Sequence, residues 1–413
     1  MAHSRRGFLT GAGACAACLS SLAGAKVLPT NIEPLVGANY IPADQDERGI
    51  WQSLEQVEEA IRTSPQRLDA PGFHEYTRGV VERLVERPTP DLRIYLMRDS
   101  AFNAAMFPSG MMIVHTGLIT RMRNEAQFAA VLGHEAGHYF RKHTIHQYRS
   151  LRRKSATGAF LSAIAGVAAG ASGASGSGSG FNTWMDAATA INAALMMSVF
   201  QFSRTQESEA DAYGIGLMAR AGYSPDAAAQ VWKQVIEERQ ASAAQRHKKY
   251  KDDANSALST HPPSAERMLD LADTAAQLDK SAAIPGAERR EEWLAMVQPH
   301  LPQLLEEQVN LNDPGANLYL IENLAKDGWT GLLRYNEAEV YRLRNESGDD
   351  VKAAEAYATA TMLPEAPPEA WRGHGYALLK AGKTTEGRDA LNQYLTMKPD
   401  AKDAGIIRFT LAQ

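Results

Sequence analysis

The segment His134-Glu135-Ala136-Gly137-His138 constrains this chain more than any other, because it makes chemical sense only as one turn of a helix. Residues four apart on a helix project from the same face, so both imidazoles address one point while Glu135 sits beside it. That arrangement suits Zn2+, which takes nitrogen, sulfur or oxygen donors in a tetrahedron and, in a catalytic site, leaves one position to water. Glu135 is then placed to take a proton from that water rather than to bind the ion. After attack on a peptide carbonyl it can pass the proton to the leaving amine. Asn124, with Gln127 three residues on, is a partial capping box for a long helix predicted to carry the motif and run to about Arg153.

A third donor must come from elsewhere, and thiols are excluded. Both cysteines, Cys15 and Cys18, lie in an N-terminal segment that reads as a targeting signal. There Arg5-Arg6 precedes an apolar stretch from Leu9 to Ala25, and Ala23-Gly24-Ala25 makes a small-residue cleavage site. Cleavage after Ala25 leaves a chain without thiols. Downstream, Arg204-Thr205-Gln206-Glu207-Ser208-Glu209-Ala210-Asp211 opens a helix. Glu207 and Asp211 share a face there, and Glu209 points away from both. The economical assignment makes Glu207 the metal ligand. Asp211 then hydrogen-bonds a ligand histidine and fixes its tautomer, with Arg204 as a further supporting residue. His143 and His146 read as surface histidines on a basic helix end.

Composition narrows the classes further. Hydrophobic residues make up 44% and charged residues 22%, so global disorder is excluded, and 43 basic against 48 acidic residues offer no nucleic-acid surface. At 413 residues the chain can bury two cores.

The helix bearing HEAGH, the run from Ser203 to Gly214 (S-R-x-x-E-x-E-A-D-x-x-G), and Thr260-His261-Pro262-Pro263 followed by Glu266-Arg267 together resemble one family. It is the HtpX-like and CAAX-prenyl-protease-like family of zinc metallopeptidases, over about residues 47–280. The chain is most similar to periplasmic members that join this domain to tetratricopeptide repeats and help maintain the outer membrane. The resemblance implies one zinc ion held by His134, His138 and Glu207, with Glu135 as catalytic base. It also implies that His261 lies near the metal, as a plug in the open position or a donor to the oxyanion. Asn103 and Ala104 are implied to lie on an edge strand that binds substrate main chain to main chain.

The fold expected is α+β: a mostly helical, zincin-like (gluzincin) peptidase domain with a small antiparallel sheet, followed by an all-α tetratricopeptide-like domain. The expected divisions are a twin-arginine signal over 1–25, the peptidase over 26–285, and the repeats over 286–413. A strand is predicted over 92–97, and a hairpin where Pro108-Ser109-Gly110 turns between two apolar runs. In the repeats, Trp371, Gly375, Tyr376 and Leu379 would face Ala390, Leu391 and Tyr394 across Gly382-Lys383, a spacing of about 34 residues per unit. Such pairs stack and leave a concave surface for partner proteins. Residues 158–202, apolar but broken by a Gly/Ser run, read as a helical hairpin that packs on the domain or touches a membrane surface. The function expected is an exported zinc endopeptidase of the cell envelope acting on protein or peptide substrates. The competing reading is a chaperone-like or scaffold protein whose metal site is shut by His261.

Overall fold

The computed structural model describes residues 26–412, apart from 154–201, 251–260, 262–263, 283–284 and single residues at 38 and 88. The signal over 1–25 and nearly all of the hairpin over 158–202 therefore lie outside the described residues.

Two helices open the fold. In α1 (Gln45–Arg62) the Asp44 side chain caps the first turn by accepting from the Glu47 N–H. In α2 (Pro71–Val85) proline takes the first position, where no N–H is needed. A three-stranded sheet follows: β1 (Arg93–Met97), β2 (Ala104–Met106) and β3 (Met111–His115), in the order β1-β3-β2. The turn at Pro108-Ser109-Gly110 joins β2 to β3 antiparallel, and Gly110 is required there. Its φ is +86°, and a Cβ would stand 2.3 Å from the Asp91 carbonyl oxygen. The sheet is nevertheless mixed rather than antiparallel. The chain from β1 crosses to the far side before the hairpin begins, so β1 lies beside β3 and runs parallel to it, Tyr95 opposite Ile113. Hydropathy alternation marks strands but not their order, which is why the sequence left this crossover unseen.

Both faces of the sheet are covered. Leu96, Ala104, Met106, Met112 and Val114 face the main core, while Met97, Ala105, Met111 and Ile113 face a second core with α1. That double burial explains the unbroken apolar run of β3. After the short α3 (Thr116–Arg121) comes α4 (Glu125–Phe140), capped by Asn124 as its sequence predicts. The predicted continuous helix breaks at Lys142, whose φ is +55°, and resumes as α5 (His143–Arg153). Helices α6 (Arg204–Arg220) and α7 (Asp226–Gln245) pack on α4, and α8 (Ala265–Ser281) packs on both of them.

The remainder of the described chain is helical: α9 (Arg290–Val297), α10 (Leu301–Val309), α11 (Pro314–Leu324), α12 (Gly331–Arg344), α13 (Asp349–Met362), α14 (Pro368–Lys380), α15 (Thr384–Met397) and α16 (Ala404–Ala412). The pairs α12–α13 and α14–α15 are each joined by a short turn and packed along their length. The main core does not stop at the Pro285-Gly286 turn. Trp293 is fully buried against Phe128, with ring centroids 4.9 Å apart, and its indole N–H donates to the Met122 carbonyl. A turn signal is local, whereas the burial of an indole decides which core a helix joins. Among the described residues no helix is long and apolar enough to cross a membrane.

Candidate metal centre

The centre exists because α4 and α6 touch backbone to backbone. Gly133 and Gly137 on α4 face Gly214 and Ala210 on α6; a Cβ on Gly214 would stand 2.8 Å from the His134 amide nitrogen. This approach brings the first turns of α6 under the histidines. Glu207 thereby reaches both.

Three imidazoles and a carboxylate then converge, all buried. His134 Nε2 lies 3.1 Å from His138 Nε2, 3.2 Å from His261 Nδ1 and 3.5 Å from a Glu207 oxygen. Glu207 lies 3.7 Å from His138 Nε2 and 2.9 Å from His261 Nδ1. A tetrahedral zinc with bonds of about 2.0–2.1 Å requires donors about 3.3–3.4 Å apart. The observed edges straddle that value, so His134, His138, Glu207 and His261 fit one ion as a set. The proton count agrees. His134 Nδ1 is 2.9 Å from Asp211 Oδ1, which holds its proton there and leaves the Nε2 lone pair directed inward.

Charge around the set is balanced by one residue that the sequence reading named but gave no role. Arg267 donates to both Asp211 oxygens at 2.7 and 2.8 Å, reaches Glu207 at 2.7 Å, and lies 4.4 Å over the Trp232 ring. Burial alone would push the Asp211 and Glu207 carboxyls up, but the Arg267 guanidinium reverses this and holds both below the usual carboxylate range. Arg204, expected in a supporting role, instead stands exposed at the head of α6. A guanidinium at the first residue of a helix points into solvent, and Arg267 does the pairing from α8. The signal available was its place three residues after Ser264, the N-cap of a helix that follows the His261 loop.

His143 is a second correction. On an unbroken helix it would sit about 140° from His138, five residues on, and face solvent. The break at Lys142 turns it inward. It is buried, its Nδ1 is 2.9 Å from His138 Nδ1, and its Nε2 is 3.4 Å from Glu209. Glu209, pointed away from the metal as read, thus joins the periphery through His143 and Arg141. Burial pushes the His143 pKa down to about 4, against the pull of Glu209, so at neutral pH it can accept the His138 Nδ1 proton. Phe202 stacks on His138, ring centroids 3.9 Å apart.

Glu135 lies beside the donors, 3.3 Å from His261 Nε2. Burial pushes its carboxyl up, and the Met106 N–H donates to it. Asn103 and Ala104 line a cavity with His134 and Glu135. The β2–β3 ladder uses the main-chain groups of Asn103 and Phe107, so by alternation those of Ala104 and Met106 face the open edge.

Comparison with known proteins places the segment that holds this set in a known family. The profile of peptidase family M48 matches residues 69–275, which contain all four donors, Glu135 and Arg267. The beta-barrel assembly-enhancing protease of Escherichia coli K12 is 23% identical over 353 residues, 83% of this chain and 64% of the relative. The mitochondrial metalloendopeptidase OMA1 of Schizosaccharomyces pombe is 30% identical over 206 residues, 48% and 52% of the two chains. That of Arabidopsis thaliana is 27% identical over 179 residues, 43% and 30%. The chain spans less than two thirds of each relative. With half of its residues matched by one profile, and the buried donor set inside that half, the chain belongs to peptidase family M48.

Proposed function

We propose that this protein is a zinc metalloendopeptidase of the periplasm, exported by a twin-arginine signal over 1–25 and acting in cell-envelope protein quality control. One observation carries the reading: His134, His138 and Glu207 converge at tetrahedral spacing with a buried Glu135 alongside. When bound, zinc supplies Lewis acidity and brings the pKa of water toward neutrality. Glu135 takes the proton from the attacking water and returns it to the departing amine, and its raised pKa suits both transfers. Ala104, with Asn103, aligns an extended peptide along the open edge of β2. Asp211 keeps His134 in the ligand tautomer, and Arg267 keeps Asp211 ionised.

The envelope location is supported by Arg5-Arg6 before an apolar run, and by a relative named for beta-barrel assembly, since such barrels belong to outer membranes. In this reading 26–285 is the catalytic domain, 286–413 forms tetratricopeptide-like repeats that bind partner proteins, and 158–202 contacts the membrane surface peripherally. The packed pairs α12–α13 and α14–α15 support the repeats.

His261 supports a second reading. It stands within the donor set and 3.3 Å from Glu135, where it closes the centre, and a chaperone-like or scaffold role would follow if it stays there. In the first reading it swings away and donates to the oxyanion. Chelator-sensitive casein proteolysis, lost in Glu135→Gln with zinc retained, supports the peptidase. Rescue of an envelope defect by Glu135→Gln supports the scaffold. Mass spectrometry of proteins trapped by that variant would name substrates.

A further inference from the structure

The cavity beside Glu135 and His134 is walled mainly by apolar side chains, among them Val131, Ile215, Val231, Trp232 and Val235. At its α7 end stands a cation, Arg239. Residues 228, 231, 232, 235 and 239 recur at helical spacing, so a single face of α7 forms this wall. Trp232 marks the catalytic end, its ring centroid 6.2 Å from that of His134. Seven residues at about 1.5 Å each put Arg239 about 10 Å further along, the length of about three residues of extended peptide.

Arg239 differs from the other cations near the centre. Arg267 is matched to Asp211 and Glu207, and Arg121 forms a two-pronged pair with Glu238. The neighbouring Glu238 is therefore already engaged. Among the described residues no carboxylate pairs with Arg239, although burial lowers its pKa below the ordinary arginine value. Tyr250 and Glu238 lie close enough to act on its charge, but a half-buried guanidinium in an apolar cleft loses part of its hydration, and its five fixed donors can take up a further acceptor. A carboxylate arriving with a ligand would satisfy them in two-pronged fashion.

We propose that Arg239 is a specificity residue, pairing with a carboxylate of the bound peptide within about three residues of the bond to be cut. The carboxylate comes from an acidic side chain or from the free C-terminus of the substrate. This rests on the peptide-binding part of the function proposed above. A charge-assisted pair in a desolvated cleft is worth about ten- to a hundredfold.

The test uses a fluorogenic peptide series carrying Glu or Gln at each of three positions on either side of the cleaved bond, each made as C-terminal acid and amide. The zinc-loaded full chain is compared with Arg239→Gln, Arg239→Lys and Arg239→Glu, all checked for native melting and zinc content. Two ratios are read, kcat/KM in the active protein and Kd by anisotropy in the Glu135→Gln background. The expected result is a preference of ten- to a hundredfold for the carboxylate form at one position. It falls toward unity in Arg239→Gln, persists in part in Arg239→Lys, and inverts in favour of the uncharged Gln or amide form in Arg239→Glu. A Glu/Gln effect with no acid/amide effect assigns the side chain, and the reverse assigns the C-terminus. Equal ratios in the unaltered chain and Arg239→Gln overturn the proposal while leaving the peptidase intact, as does absence of binding. Binding preference without cleavage upholds Arg239 and removes the peptidase reading.

Discussion

Two helix crossings in this molecule use the same backbone device and carry different loads. In α4–α6, Gly133 and Gly137 meet Gly214 and Ala210; in α14–α15, Gly375 meets Gly387, and a Cβ on either would stand 3.0 Å from the other's carbonyl oxygen. Neither crossing needs glycine for an unusual φ. Each needs it for closeness. Beside the first stand His134, Glu207 and Asp211, buried and polar; beside the second stand Leu379 and Leu391. Leucines re-rotate when a helix shifts by a few tenths of an ångström, whereas donors set about 3.3 Å apart around an ion do not tolerate the shift. A close crossing is thus a generic way to pack helices, and the residues next to the glycines decide whether it is also a chemical site.

The largest expected effect tests whether the first crossing is chemical at all. Glu135→Gln keeps shape and hydrogen bonding but cannot accept a proton, so proteolysis should fall at least about a thousandfold, with zinc content by atomic absorption unchanged. Equal proteolysis by this variant would reduce the α4–α6 crossing to packing. Next comes the comparison itself. Gly214→Ala meets rigid backbone at 2.8 Å and should cost about 2–3 kcal/mol, with weakened zinc binding. Gly387→Ala meets the Leu379 side chain at 2.8 Å and the Gly375 carbonyl oxygen at 3.0 Å, a milder clash set against about 1 kcal/mol of helix propensity, so its melting temperature should fall less than that of Gly214→Ala and its zinc binding should not change. Equal losses of zinc in both variants would erase the distinction.

Acid should act on the first crossing through His143. His143 is pushed down to about 4 by burial, below the ~6.5 of an unfolded chain. As pH falls the unfolded chain therefore takes up this proton first. The stability contributed is complete above ~6.5 and is lost between ~6.5 and ~4, at most about 3 kcal/mol. Thermal melts of the zinc-loaded protein against pH should show the decline, and His143→Gln, which stays neutral, should make it shallower. An unchanged profile in that variant would remove His143 from the account.

What could be read in the sequence follows the same division. The α4 motif, its Asn124 cap, the hairpin turn and the face shared by Glu207 and Asp211 depend on spacings of two to four residues, which local periodicity reports. The parallel placement of β1, the inward turn of His143 and the exposure of Arg204 depend on a crossover, one left-handed residue and a packing partner on α8. Lys142 carries no sequence mark of its φ, since lysine has no special preference for that region. Nor does Trp293 announce that it belongs to the first core, because an aromatic on a short helix buries equally well in either.

The finest distinction lies within the centre, between the two motif histidines. His134 is backed by a charged pair, Asp211 with Arg267, and His138 by the neutral imidazole of His143. An ionised acceptor makes the more basic ligand, so His134 should supply more of the metal affinity. Asp211→Asn keeps the volume but removes the charge, and leaves Arg267 only Glu207 to pair with. Zinc affinity by competition with a chromogenic chelator should fall about ten- to a hundredfold, more than for His143→Gln at pH 7. If the two variants lose affinity equally, the charge behind His134 does not matter and simple fixation of each ring accounts for both contacts.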